Sequence, residues 1–151
     1  MPQHALVSSC SLHEIDTIAE KLLHLAQENS SIFAFYGPLG AGKTTLVKKI
    51  IAIKANICPS SITSPTFTYV QTYGNSHPIH HFDLYRIKTA ESFESMGFTD
   101  YLDQTCLIEW PEVIEKLLPK NTIRIHIAYA GQESRTYKIE LGKPLVGESI
   151  A

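Results

Sequence analysis

The stretch FAFYGPLGAGKTTLVKK, residues 33–49, decides the fold of this chain. It begins with apolar and aromatic residues, passes through three glycines and ends in residues that continue as a helix. A buried strand, a glycine-rich turn and a helix in direct succession form the local structure that surrounds the phosphates of a nucleotide. The stretch therefore predicts an α/β fold with a phosphate-binding loop after its first buried strand.

The glycines of this loop have a physical purpose. GPLGAGKT, residues 37–44, satisfies the pattern G-x-x-x-x-G-K-[ST] in full. Gly37, Gly40 and Gly42 allow the backbone to turn and to approach phosphate oxygens closely. We expect the loop amides, including that of Ala41, and the helix N-terminus to face the anion.

Three side chains at the start of the helix complete the predicted phosphate site. Lys43 places a positive charge on the β and γ phosphates, and Thr44 offers its hydroxyl to Mg²⁺. The hydroxyl of Thr45 is expected to reach the α phosphate, the alternative being an ordinary residue of the first helical turn. A glycine-rich turn without a ligand is the alternative for the whole site, but the complete motif lies between a strand and a helix.

Two acids are candidates to complete the site. Glu109 ends the apolar run TCLIE, where a Walker B acid would hold the metal or its water shell. Asp83 ends IHHFD, and in an open parallel sheet both acids would emerge at the carboxyl edge beside the loop. Asp83 would either align the attacking water or hold the outer shell of the metal, and the residues leave both roles open. A solvated or helix-capping carboxylate is the alternative for each acid.

Thr66, in the segment SPTFTY, follows the phosphate helix and precedes the next predicted strand. Nucleotide switches carry at this place a loop that senses the γ phosphate. The alternative is an ordinary turn threonine after Pro65.

A group of histidines resembles a metal cluster at first. However, His80 and His81 are adjacent in a predicted strand, so their side chains lie on opposite faces. Neither they nor His77 have a cysteine or a second acid at ligand spacing. We therefore interpret them as structural histidines.

Hydrophobic periodicity predicts the remaining elements. A capping box of Ser11 and Glu14 is expected to start an amphipathic helix over residues 12–28. Alternation from Ile123 to Ile127 and again from Tyr137 predicts a C-terminal antiparallel hairpin. The other expected elements are strands at 4–9, 31–36 and 105–110, a hairpin of 66–73 with 78–86, and helices after the phosphate loop, at 90–97 and from Pro111.

These elements predict one P-loop NTPase-like domain over residues 1–151, with a three-layer fold. A mixed, mostly parallel sheet would be flanked by helices and would end in the antiparallel hairpin. The length of 151 residues suits a single hydrophobic core.

Composition excludes some classes of function. The net charge of −2 and a pI near 6.4 disfavour a protein that mainly grips a nucleic-acid backbone. Cys10, Cys58 and Cys106 lack a C-x-x-C pair, which favours reduced thiols. Because the sequence has neither a secretory leader pattern nor about 18 consecutive apolar residues, we expect a cytoplasmic protein without a membrane span.

Five segments occur in an order that is specific to one family. GPLGAGKTTL, SPTFTY, HHFDLYR, MGFTDYL and LIEWPE lie between about residue 11 and about residue 130. Together they resemble the bacterial TsaE (YjeE) family, the ATPase component of tRNA threonylcarbamoyladenosine biosynthesis. A generic phosphate-loop protein would share only the first segment.

The resemblance implies an activity, cofactors and partners. It implies ATP and Mg²⁺ as cofactors and hydrolysis that is weak or depends on partners. The partners would be TsaB-like and TsaD-like proteins, which transfer threonylcarbamoyl to adenosine 37 of tRNAs reading codons that begin with A. The tRNA would be contacted mainly through these partners.

The resemblance also implies roles for individual residues. Lys43 and the loop amides would hold the phosphates, and Thr44 and Glu109 would serve Mg²⁺. Asp83 would be needed for hydrolysis or for positioning the nucleotide. Members of the family carry a basic residue near the end that approaches the nucleotide, and Arg135 is the nearest candidate here.

Two other classes of function stay open at this point. A kinase for a nucleoside or another small molecule also begins with a phosphate loop, but phosphoryl-transfer lids commonly supply several arginines. The chain has only Arg86, Arg124 and Arg135. The second class is a regulatory nucleotide switch in which turnover is not essential, and it differs from an ATPase mainly in kinetics.

Overall fold

The computed structural model describes residues 5–11, 14–26 and 32–142, with side chains described from residue 14 onward. In these ranges the chain forms three α-helices and seven strands. The helices are α1 (Ile15–Leu25), α2 (Lys43–Ala55) and α3 (Ala90–Ser95). The strands are β1 (Ala5–Ser11), β2 (Ile32–Tyr36), β3 (Val70–Tyr73), β4 (Ile79–Asp83), β5 (Thr105–Glu109), β6 (Ile123–Tyr129) and β7 (Ser134–Glu140).

All seven strands join one mixed sheet in the order β1-β7-β6-β2-β5-β4-β3. Its centre is parallel, because β2 pairs in parallel with β5 and β6, and β4 pairs in parallel with β5. The edges are antiparallel, through β1 with β7, β7 with β6, and β3 with β4. The predicted parallel core, the hairpin of β3 with β4 and the C-terminal hairpin of β6 with β7 are confirmed.

Strand β2 shows why nearly every residue of its segment is apolar. Phe33 and Phe35 pack on the side of the sheet covered by α1 and α2. Ile32 and Ala34 pack on the opposite side, among residues of α3 and of the short turns of 3₁₀-helix. Because both faces of the strand are covered, polar residues do not alternate with apolar ones along it. Layers of helix on both sides of the sheet confirm the predicted three-layer fold.

The start of α1 differs from the prediction. Ser11 is the last residue of β1 and pairs with Ser134, while Glu14 takes the N-cap position without a side-chain capping hydrogen bond. The predicted capping box is therefore wrong, because Glu14 precedes the first turn instead of ending it. The helix is confirmed over Ile15–Leu25, and the predicted element residues 4, 12–13, 27–28 and 31 lie outside the described residues.

Several further elements are shorter than predicted or more tightly wound. The strand predicted over 66–73 begins only at Val70, because the amide of Tyr69 closes a turn onto the Pro65 carbonyl at 3.0 Å. The helix predicted from Pro111 is a 3₁₀-helix, Pro111–Leu117, whose helical backbone is interrupted at Ile114. Two further 3₁₀-helices lie at Pro59–Ser61 and Phe98–Asp103.

Among the helices of the described ranges, none combines the length and apolar character that crossing a membrane would require.

Candidate phosphate-binding site

The phosphate loop leaves β2 and enters α2 at the carboxyl edge of the parallel strands. Gly37 lies against β6 so closely that a Cβ atom there would come within 2.6 Å of the Ile127 carbonyl oxygen. Gly42, at the N-cap of α2, has a φ of 105°, which L-residues with side chains rarely adopt. Packing at one end of the loop and backbone conformation at the other therefore both require glycine.

Lys43 is buried at the start of α2, although it carries a charge. Its ammonium donates hydrogen bonds to the carbonyl oxygens of Gly37 and, at 3.4 Å, of Pro38. The ammonium also lies 3.5 Å from the ring centroid of Trp110, within the range of a cation–π contact. Burial lowers the pKa of Lys43, and the attraction of Glu109 partly opposes this. The loop thus holds a cation that has lost much of its hydration.

Glu109 ends β5 as a buried acid with a partner on each carboxylate oxygen. Thr44 donates its hydroxyl to Oε1 at 2.6 Å. Nε2 of the buried His81 lies 2.7 Å from Oε2. The carboxylate is therefore held in one orientation at the start of α2.

Asp83 ends β4 directly opposite Glu109 in the parallel register of β4 and β5. Its Oδ1 accepts a hydrogen bond from the backbone amide of Tyr85 at 3.1 Å. Burial raises the pKa of Asp83, and repulsion from Glu109 adds to this, whereas the Tyr85 amide opposes it. The two acids that the sequence places at strand ends therefore meet at one edge of the sheet.

A cavity of about 450 Å³ opens between the loop and these acids. Eight of the residues that line it are ones that the sequence singled out, and three are additional. The first group is Gly40, Gly42, Lys43, Thr44, Thr45, Thr66, Asp83 and Glu109, and the second is Leu39, Tyr85 and Trp110.

Three predicted binding residues, Gly37, Ala41 and Arg135, do not line this cavity. Gly37 lies beneath the loop, where its carbonyl binds Lys43. Arg135 is buried behind the loop, and its Nε donates to the carbonyl of Ala41 at 3.1 Å. Its guanidinium also lies 4.3 Å from the ring centroid of Tyr129. The approach of Arg135 to a nucleotide stays a prediction, while its contact with the loop backbone is direct.

The sequence interpretation did not connect His81 to the site. His80 and His81 do face opposite sides of the sheet: His80 contacts Thr72 and Gln104, whereas His81 contacts Glu109. The available signal was the strand period of two, which puts His81 on the same face as Asp83. In the described ranges, no three histidine, cysteine, aspartate or glutamate side chains form a group that could hold a metal ion.

The donor atoms at this edge suit magnesium. The hydroxyl of Thr44 and the carboxylate of Glu109 are oxygen ligands 2.6 Å apart. Mg²⁺ commonly binds one or two carboxylates and completes its octahedron with phosphate oxygens and water. The residues present therefore fit this ion in the way that a phosphate-loop site requires.

A mixed sheet with a parallel centre carries a glycine-rich loop, a buried lysine and two acids at the carboxyl edge of its parallel strands, and this arrangement defines a P-loop NTPase-like protein. Within that class, the family model described as "Threonylcarbamoyl adenosine biosynthesis protein TsaE" matches residues 9–137. The chain belongs to the TsaE family, whose members take part in tRNA threonylcarbamoyladenosine biosynthesis.

Individual relatives agree with this assignment. The tRNA threonylcarbamoyladenosine biosynthesis protein TsaE of Haemophilus influenzae is 40% identical over 114 residues, covering 74% of this chain and 71% of the relative. The protein of the same name from Bacillus subtilis is 32% identical over 118 residues, covering 76% and 72%. The crystal structure of Bacillus subtilis YdiB superposes with a TM-score of 0.65 at 28% identity, covering 93% of this chain and 87% of that one.

Proposed function

We propose that the chain binds ATP with Mg²⁺ and is a weak ATPase whose hydrolysis depends on partners. The ATPase acts on a complex of TsaB-like and TsaD-like proteins in the cytoplasm. Its turnover supports repeated formation of threonylcarbamoyladenosine at position 37 of tRNAs that read codons beginning with A. The tRNA is contacted mainly through the partners.

One observation carries the proposal: Lys43, Thr44, Asp83 and Glu109 converge on a single cavity beside the phosphate loop. Each supplies a chemical group that phosphoryl transfer needs. The protein need not supply a covalent nucleophile, since this chemistry rests mainly on positioning and charge. The loop amides and Lys43 bind phosphate oxygens, and Thr44 and Glu109 hold the metal. Asp83 orients the attacking water.

When bound, Mg²⁺ would neutralise the negative charge that develops on the phosphate oxygens. The raised pKa of Asp83 suits a group that accepts a hydrogen bond from water without being strongly hydrated itself.

The arginines explain the dependence on partners. Arg124 pairs with Glu115 at 2.8 Å, Arg135 holds Ala41, and Arg86 lies over Phe67. None of these arginines lines the cavity. Efficient ATPases and GTPases place an arginine on the transferred phosphate, and it can come from another protein. The chain alone is therefore expected to hydrolyse slowly.

Reconstitution tests the proposal. Purified chain, ATP and Mg²⁺ are added to the two partners with unmodified tRNA, and the modified nucleoside is counted per complex over time. We expect many turnovers with ATP and about one round with a non-hydrolysable analogue.

The matched variants are Asp83→Ala, which removes the acid in the cavity, and Asp100→Ala, which removes an exposed acid elsewhere. Asp83→Ala should bind ATP but stop repeated modification, whereas Asp100→Ala should behave as the unaltered chain. Full turnover with Asp83→Ala or with the analogue would refute the ATPase role. Phosphorylation of a small acceptor by the chain alone would identify a kinase instead.

A further inference from the structure

His81 occupies a position that the proposed ATP and Mg²⁺ site does not yet explain. It is fully buried on β4, with an exposed fraction of 0%. Its Nε2 lies 2.7 Å from Oε2 of Glu109, whose Oε1 accepts the Thr44 hydroxyl. Carboxylates that bind a metal are commonly hydrogen-bonded by residues behind them, and these hydrogen bonds orient the carboxylate.

The second nitrogen of the ring fixes the direction of this hydrogen bond. Within the described part of the chain, Nδ1 of His81 is buried without a hydrogen-bond partner. A proton on Nδ1 would be a buried donor without an acceptor, which costs free energy. We therefore place a proton on Nε2, which donates it to Oε2 of Glu109.

The hydrogen bonds on the two oxygens of Glu109 act together. If the carboxylate rotates about its side-chain bonds, it loses the bond from His81 and the bond from Thr44 at the same time. Thr44 is the first-turn residue whose hydroxyl the proposed function assigns to Mg²⁺. The orientation of the metal-binding oxygens is thus transmitted from β4 through Glu109 to the start of α2.

We propose that His81 is a positioning residue for magnesium: it holds Glu109 so that one carboxylate oxygen stays beside the Thr44 hydroxyl, where these two groups would hold the metal. His81 does not touch the nucleotide or the metal. This inference rests on the proposed function, because it concerns the same acid and the same ion. It goes beyond it by assigning a role to a residue outside the cavity lining.

Three variants separate the effect of the hydrogen-bond donor from the effect of the imidazole ring itself. His81→Gln places an amide N–H at a reach similar to that of Nε2, whereas His81→Asn is shorter and does not reach Glu109. His81→Leu removes the donor but keeps an apolar volume. His80→Leu is the control, because His80 is also buried in β4 but contacts Thr72 and Gln104 on the other face.

The readout is the Mg²⁺ concentration at which ADP or ATP binding is half-maximally strengthened, followed by the emission of the single tryptophan, Trp110. We expect a rise of tenfold or more for His81→Asn and His81→Leu. His81→Gln should stay within about threefold of the unaltered chain, and so should His80→Leu. Nucleotide binding in the presence of a chelator should be the same in all variants, since the loop and Lys43 do not contact His81.

A merely structural role gives a different pattern. His80→Leu and His81→Leu would then lower the melting temperature alike and leave the Mg²⁺ requirement unchanged, which would overturn the inference. Equal Mg²⁺ requirements for His81→Gln and His81→Asn would overturn it as well, even if His81→Leu does not fold. If the unaltered chain shows no Mg²⁺-dependent nucleotide binding, the proposed function itself fails, and the two failures are thereby distinguished.

Discussion

The ammonium of Lys43 lies 3.5 Å from the centroid of the Trp110 ring, so the cation of the phosphate loop contacts the residue that follows the buried acid Glu109. Burial lowers the pKa of Lys43, which means that its charged form destabilises the folded chain relative to a solvated lysine. The charge is therefore held where a phosphate would compensate it.

Lys43→Met should separate binding from stability. The methionine keeps most of the length and removes the desolvated charge, so the melting temperature without ligand should not fall. The rise in melting temperature on adding ATP and Mg²⁺ should disappear, because the positive charge on the phosphates is lost. Thermal melts with and without nucleotide measure both effects. The exposed Lys54→Met, at the other end of α2, should keep the ligand-induced rise, and retention of that rise by Lys43→Met would contradict the assignment.

Gly37→Ala should displace the phosphate loop. The added Cβ would lie 2.6 Å from the Ile127 carbonyl oxygen, so either the loop or β6 must move. We expect a destabilisation of about 1–3 kcal/mol, together with a loss of nucleotide affinity. Urea unfolding and nucleotide titration measure the two quantities.

The control for this change is Gly97→Ala, where φ is 79° but a Cβ atom would meet no atom within 4 Å. That variant should cost about 1–2 kcal/mol from backbone strain alone and bind nucleotide normally. Normal nucleotide binding by Gly37→Ala would show that the loop tolerates the shift.

Asp83→Asn should change the pH dependence of stability. Because the pKa of Asp83 is raised above its ordinary value of 3.8, the folded state binds more protons than the unfolded state just above that pH. The contribution of Asp83 to stability is thus present below pH 3.8 and is lost as pH rises through the folded-state pKa. Asparagine stays neutral and keeps the acceptor for the Tyr85 amide. The variant should therefore melt higher than the unaltered chain at pH 7, with the difference shrinking toward pH 3.8.

The control is Asp100→Asn, which alters an exposed carboxylate outside the cavity. Its melting temperature at pH 7 should match that of the unaltered chain. A lower melting temperature for Asp83→Asn at pH 7 would mean that the ionised acid stabilises the fold.

The cysteines should differ in reactivity. Cys58 is exposed, and a hydrogen bond with Ser60 lowers its pKa. Cys106 is buried, and desolvation raises its pKa to about 12. Since the thiolate is the reactive form, a disulfide reagent at pH 8 should modify Cys58 within minutes and Cys106 only when the chain unfolds. The measurement uses a Cys10→Ser background, and the further change Cys58→Ser should abolish the fast phase. A fast phase that survives would place Cys106 in reach of solvent.

Much of the site could be predicted because its signals are local. The glycine spacing defines the loop between β2 and α2 without reference to the rest of the chain. Asp83 and Glu109 each end an apolar strand, and parallel strands bring such ends together. Both acids could therefore be predicted from the sequence without knowledge of the register that places Asp83 opposite Glu109.

What escaped prediction depends on long-range geometry. The contact between His81 and Glu109 needs the register of β4 on β5 and the rotamers of both side chains. The turns after Trp110 form a 3₁₀-helix, and Trp110 itself has a φ of 57°; apolar spacing reveals neither feature. The apparent capping box failed for a similar reason, since Ser11 is taken up by pairing with Ser134.

The hydrogen bond from Arg135 to the Ala41 carbonyl joins residues that are 94 positions apart. During synthesis, the phosphate loop leaves the ribosome long before β7, the strand that carries its support. Folding in which such distant partners must meet is slow compared with folding through local contacts. A nascent chain that lacks β7 should consequently lack the Arg135 contact with the loop backbone, so the order of synthesis delays this support of the loop until the sheet is nearly complete.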